Sequence, residues 1–380
     1  MQRHAIHLLI ISVAGLCALG LIMLFSTGAF ARDSHGDMNF FVKKQAFWLA
    51  VGIGAITLAA IVDYHFWVRY WWALFALSAV LLILCFIPPI GMRINGSSRW
   101  VNLGLTTFQP SELAKVASIL FLAWWFSQKG ADFNSLMDGF VKPLSVLLIL
   151  MTLIILEVDI GNTALIGGTA VCVLFLAGAS MRWLTVLAAC GFSAIIAAGL
   201  SVSERKGRLM AFLDPEEYKL GEGLQQWQAL IAFGSGGLHG LGLGESRQKM
   251  LYLPYAHTDF IFPMIGEELG LVATSATVFA FLLIFLSGVL VASNASDRQG
   301  MVLGFGAVSM ITLQAVVNIG VTTSLLPNKG MPLPFISYGG SNLIVCLFMI
   351  GLLVNIHRQG RPIHQTLDPT LLRPHFEPRV

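Results

Sequence analysis

Ile6-His-Leu-Leu-Ile-Ile-Ser-Val-Ala-Gly-Leu-Cys-Ala-Leu-Gly-Leu-Ile-Met-Leu-Phe-Ser-Thr-Gly28 is the stretch on which the fold reading turns. Arg3 precedes it and Ala29-Phe30-Ala31 resembles a small-residue cleavage site. The run nevertheless outlasts the roughly 7–15 residues of a signal-peptide core, so it reads as an uncleaved first helix. About 20 apolar residues cross the hydrocarbon core of a bilayer. Comparable runs follow near 45–62, 69–87, 110–127, 142–157, 160–178, 183–201, 263–292, 300–323 and 340–357. Inside a bilayer each must be helical, because no water is present to satisfy its backbone. The pattern predicts an all-α membrane protein of about ten transmembrane helices. Two joints are ambiguous: Glu157-Val158-Asp159, and the segment after Leu325, where Pro327, Pro332 and Pro334 forbid a continuous helix.

Composition agrees. Of 380 residues, 56% are hydrophobic and only 11% charged, too much apolar surface for a water-soluble core. The 38 glycines suit close helix approach. A net charge of +3, spread along the chain, gives nucleic-acid binding no support. Cys17, Cys85, Cys172, Cys190 and Cys346 all sit in apolar runs, without metal or disulfide spacing, and read as small hydrophobes.

An even helix count puts both termini on one side. Arg358, Arg361, Arg373 and Arg379, with Arg69, Lys129, Lys142, Arg182 and Arg298 in short loops, mark that side as cytoplasmic. The cations Lys43, Lys44, Arg93 and Arg99 then fall outside. The organisation expected is a membrane domain over 1–362 and a cytoplasmic tail over 363–380. A large extracytoplasmic loop, about 203–262, joins helices 7 and 8. A loop this long in a compact protein is functional or disordered, and its Trp227, Phe233 and Tyr252 argue for order. Its Gly234–Gly244 stretch allows tight turns but lacks the strand–helix context of a dinucleotide site.

Asp259 stands where this loop meets an apolar helix, directly before Phe260-Ile-Phe262. Partial desolvation would raise its pKa and make it a better base. An N-cap to the next helix is the equal alternative. His257 reads as a proton relay or a hydrogen-bonded loop residue. Glu112 and Lys115, at i and i+3, share a helix face and form either a structural ion pair or, through Lys115, a lipid-phosphate site. Asp159 is a cap or a cavity residue. Glu267 and Glu268 are adjacent, so at most one is expected to face the cavity of Asp259. The outer cations Arg93, Arg99, Arg205, Lys206, Arg208, Arg247, Lys249 and Lys329 are either scattered charges or a collective site for an anionic headgroup such as pyrophosphate. Leu326–Gly340, broken by proline and glycine, predicts irregular backbone lining a cavity.

Several stretches together resemble the SEDS family of shape, elongation, division and sporulation proteins, and within it the FtsW cell-division branch. They are Asn95-Gly-Ser-Ser-Arg99-Trp100, Gln109-Pro-Ser-Glu112-Leu-Ala-Lys115, Gly242-Leu-Gly-Glu-Ser-Arg-Gln-Lys249, His257-Thr-Asp259-Phe-Ile-Phe262, Gly266-Glu-Glu-Leu-Gly270 and Pro332-Leu-Pro-Phe-Ile-Ser-Tyr-Gly-Gly-Ser341. They run in the family's order across nearly the whole chain. The resemblance implies a peptidoglycan glycosyltransferase that polymerises lipid II at the outer face of the cytoplasmic (inner) membrane, at the division septum. It places the essential aspartate at Asp259, and motif positions at Arg99, Glu112, Lys115, Gln228 and Lys249. His257 and Lys329 join these as substrate-binding candidates. It also implies a separate class B penicillin-binding transpeptidase, FtsI-like, among other divisome partners. The rival readings are a lipid II flippase, a RodA-like elongation polymerase and a non-catalytic scaffold. No dedicated metal-ligand cluster is evident, which leaves a divalent cation, Mg or Mn, an open option. Tyr255, Pro263, Ala229 and the Glu157-Val158-Asp159-Ile-Gly161-Asn162 stretch depart from the family pattern.

Overall fold

A computed structural model describes residues 2–28, 39–94, 97–102, 104, 106–128, 135–200, 203–250 and 252–360. Ala29–Ala31, Asn95-Gly96, Lys129 and the 363–380 tail with its arginines lie outside the described residues, as do the side chains of Arg205 and Lys206. The elements are α1 (Gln2–Gly28), α2 (Phe40–Ile61), α3 (Tyr64–Arg69), α4 (Trp71–Leu84), β1 (Gly91–Ile94), β2 (Ser97–Asn102), β3 (Thr107–Phe108), α5 (Pro110–Phe126), α6 (Lys142–Leu156), α7 (Ile160–Leu176), α8 (Met181–Leu200), α9 (Ser203–Leu213), α10 (Leu224–Gly236), α11 (Ile261–Ser293), α12 (Arg298–Thr322) and α13 (Gly340–Gln359).

The ten apolar runs fall on α1, α2, α3–α4, α5, α6, α7, α8, α11, α12 and α13. Among the described residues, six helices are long and apolar enough to cross a membrane, and Trp71–Leu84, Ile160–Leu176 and Met181–Gly191 are shorter apolar helices. The chain is a multi-pass, all-α membrane protein with one addition the apolar pattern did not announce. The α4–α5 connection carries a three-stranded antiparallel sheet in the order β1-β2-β3. That sheet fixes Arg99 on β2.

The centre of the bundle is α5, α12 and α13, whose inner faces are lined by buried residues. α2 packs along α13, and α1 along α11. The faces left apolar and exposed, such as Phe47 and Ile53 on α2 and Val272 and Phe279 on α11, suit lipid contact. His7 on α1 lies close to His357 near the end of α13, so both ends of the described chain stand at one face of the bundle. At that face Asp63 caps α3, Asp297 caps α12, and His65 bridges the two carboxylates at 2.7 and 2.6 Å. Asp259 lies at the opposite face.

The stretch after α8 has secondary structure of its own among the described residues. It folds into α9, α10 and a chain of turns laid over the start of α11. α11 is kinked at Gly270, whose φ of 77° lies in the left-handed region. There the helix opens to the glycine-rich loop: Leu271 and Val272 N–H groups donate to Gly237 and Leu238 carbonyls, and Leu241 and Gly242 N–H groups donate to Glu267 and Glu268 carbonyls. A Cβ on Gly240 would overlap the Glu268 backbone, so the glycines serve close approach as well as turning.

Candidate functional site

Asp259 is not a helix cap. Phe260 occupies the N-cap position of α11, and no side chain caps that helix. The Asp259 carboxylate, partly buried, instead faces the irregular 323–339 segment. A Cβ on Gly330 would come within 2.6 Å of its Oδ2. The backbone around it is held carbonyl by carbonyl. Tyr338 N–H donates to His257 O (3.0 Å), Ser337 Oγ to Thr258 O (2.6 Å), and Asn318 Nδ2 to Asp259 O (2.8 Å). Asn318 also donates to Met331 O at 2.6 Å, so one α12 side chain joins the two backbones that meet at the carboxylate. Upstream, Tyr255 adopts φ 60°, and its carbonyl accepts from Thr258 N, Thr258 Oγ1 and Phe260 N. Tyr255 thus sits on the turn that aims Asp259, with its ring exposed.

The electrostatics come from three connections. Arg99 reaches from β2 and donates to Val158 O at 2.9 Å. Lys329 leans over the start of α7, its Cε close enough to Gly161 that a Cβ there would crowd it. Asp159 caps α7, accepting from Asn162 N (3.2 Å), Asn162 Nδ2 (2.9 Å) and Gln109 Nε2 (3.4 Å). Burial pushes Asp259 up to about 6, well above its ordinary value; Arg99 and Lys329 pull it back, and Asp159 adds to the rise. The cluster around the carboxylate is therefore Arg99, Asp159 and Lys329.

Other sequence candidates lie elsewhere. Lys115 is fully buried; it binds Glu112 at 2.7 Å and donates to Gln314 Oε1 at 2.9 Å, while Asn342 donates to Glu112. Of the two open readings, the geometry favours the structural ion pair, because no face of Lys115 is left for a phosphate. Lys249 is likewise enclosed, donating to Glu268 Oε1 (2.9 Å), Ser26 Oγ (3.0 Å) and Gly244 O. Glu267 accepts from Ser246 Oγ and from Arg247 N, and Glu268 from Gly244 N. The adjacent glutamates thus grip one loop from two sides, and neither belongs to the group of charges at Asp259.

His257 packs against Phe41, with ring centroids 4.4 Å apart, and lies near Tyr338. Gln228 lies partly exposed on α10. Its neighbours make the contacts: Gln226 donates to Val321 O and Leu326 O, and Asn328 donates to Gln225 Oε1. Sequence reasoning missed Gln226, and also Asn318, an amide four residues after Gln314 in an apolar helix, whose burial cost was the available signal. Among the described residues, no group of three or more His, Cys, Asp or Glu side chains is placed to hold a metal ion.

The chain matches the cell cycle protein family of FtsW, RodA and SpoVE over residues 7–362. It belongs to that family. It is 39% identical over 356 residues to a Geobacter metallireducens protein named "Probable peptidoglycan glycosyltransferase FtsW", covering 93% of this chain and 95% of the relative. It is 38% identical to Stage V sporulation protein E of Bacillus subtilis, covering 93% and 97%. Among solved structures, the rod shape determining protein RodA of Thermus thermophilus is similar at TM-score 0.69 and 26% identity, covering 93% of this chain and 97% of that one. A chain of a peptidoglycan synthase complex that coordinates polymerization and crosslinking is similar at TM-score 0.74 and 25% identity, covering 92% and 96%.

Proposed function

We propose that this chain is a peptidoglycan glycosyltransferase that joins lipid II units into glycan strands, with Asp259 as the general base. The observation that carries the reading is an uncapped carboxylate, raised in pKa and set among Arg99, Lys329 and Asp159 on a backbone held at three successive carbonyls. A base poised near neutral pH is suited to accept a proton from an attacking hydroxyl. Asp259 Oδ takes the proton of the acceptor sugar hydroxyl as that oxygen attacks the donor's anomeric carbon. The bond to the undecaprenyl pyrophosphate breaks with its electron pair on the leaving oxygen. Arg99 and Lys329 offset the developing charge. Lys115 and Lys249, each committed to a buried carboxylate, hold the scaffold instead. A divalent cation, Mg or Mn, would supply further charge neutralisation at the pyrophosphate.

Family membership and the multi-pass fold support an inner-membrane protein. We place the Asp259 face outside, both termini in the cytoplasm, and the protein at the division septum. Its partners are then a class B penicillin-binding transpeptidase and other divisome proteins. Similarity to a chain from a synthase complex supports a partnered polymerase. The test is reconstitution in vesicles with labelled lipid II confined to the leaflet facing Asp259. The proposal predicts long glycan strands there. Movement of label across the bilayer without polymer would overturn it in favour of a flippase.

A further inference from the structure

Glu157 plays no part in the chemistry described above, yet its position is unusual. It ends α6 in the tight turn to α7, fully enclosed, beside a Val158 whose φ of 67° no β-branched residue adopts without cost. Neither of its carboxylate oxygens meets a hydrogen-bonding nitrogen or oxygen among the described residues. The groups that face it are the Cys85 thiol at the end of α4, Asp159 on its own turn and Arg99 from β2. Arg99 holds the same turn through Val158 O, and its buried Nε also lacks an acceptor among the described residues. A guanidinium thus lies within the field of two carboxylates, Glu157 and Asp259, and forms a close ion pair with neither.

We propose that Glu157 is a positioning residue that acts through Arg99, leaving the guanidinium to Asp259 and its substrate while neutral and pairing it with its own carboxylate once ionised. The idea rests on the glycosyltransferase reading of Asp259. Burial pushes Glu157 up to about 8; Cys85 and Arg99 oppose the rise and Asp159 adds to it. Below that pH the carboxyl is protonated and Arg99 serves the site. Above it, the proton passes to solvent hydroxide and the new carboxylate competes for Arg99.

Polymerisation by the full-length chain in vesicles, followed from pH 5 to 10, tests this. The wild type is expected to lose activity on an alkaline limb near pH 8. Glu157→Gln keeps the neutral form and should shift that limb upward by about one pH unit or more. At pH 7 the variant should stay within a few-fold of wild type. An alkaline limb unchanged in the variant would overturn the proposal. Infrared titration provides a readout independent of polymer. It should show a protonated carboxyl band that fades between pH 7 and 9 and is absent from Glu157→Gln; a wild type without it also overturns the proposal. If Asp259→Asn polymerises normally while that band titrates, the base assignment fails and the state of Glu157 stands.

Discussion

The carboxylate of Asp259 is useful because its surroundings are divided. Burial favours its neutral form, while Arg99 and Lys329 favour the charged one, and the balance leaves it titrating near 6. A base must be ionised to accept a proton, so activity should fall as pH drops through about 6, whereas an unperturbed aspartate would hold it to about 4. A pH profile of initial rates checks this. Gly330 should matter for the same site, since a Cβ there would press on Oδ2. Gly330→Ala is expected to lower the rate by on the order of 10²-fold, through misplacement of the base, with little change in thermal stability. A wild-type rate in that variant would mean the carboxylate does not need its observed place. Asp259 itself was visible in the sequence as a charge at a polar–apolar boundary. That boundary alone left capping against catalysis open, because the choice depends on which residue starts α11; only the family resemblance favoured catalysis.

Elements meet at this face through buried charges. Glu112 and Lys115 join α5 to α12 through Gln314 and to α13 through Asn342, and Gln314 also holds Pro332 O. Removing one partner leaves a charge buried without its counter-ion, which costs about 3–5 kcal/mol. Lys115→Met should therefore lower the unfolding midpoint in detergent sharply, and Lys115→Met with Glu112→Leu should recover much of the loss. Equal destabilisation by single and double variants would contradict the ion-pair reading. Lys249 and Glu268 tie the 236–249 loop to α11 and to Ser26 of α1 in the same way. The i,i+3 spacing made the first pair legible. The second pair spans 19 residues and Gln314 lies farther still, so neither partner follows from local spacing. Asn318 illustrates the same limit: its two acceptors, 59 and 13 residues away, are backbone carbonyls that no side-chain pattern reveals. Asn318→Leu should cost about 1–3 kcal/mol by stranding them, and should lower activity more than stability if it frees the Asp259 turn.

At the scale of the molecule, hydropathy located the membrane helices because each must satisfy its own backbone in lipid. The small sheet escaped that reading, since its few residues lie in a polar connection where no such rule applies. The irregular 323–339 segment followed from its prolines, but its packing against Asp259 did not. The fold brings four distant connections to one face: the sheet, the α6–α7 turn, the loop before α11 and the segment before α13. Arg99, Asp159, Asp259 and Lys329 come one from each of these four connections. The most direct measurement is polymerisation of lipid II by purified Asp259→Asn, which keeps the shape of the side chain and removes its basicity. The account predicts a loss of about 10²–10⁴-fold in a variant that inserts and unfolds like wild type. Wild-type polymerisation by that variant would contradict it.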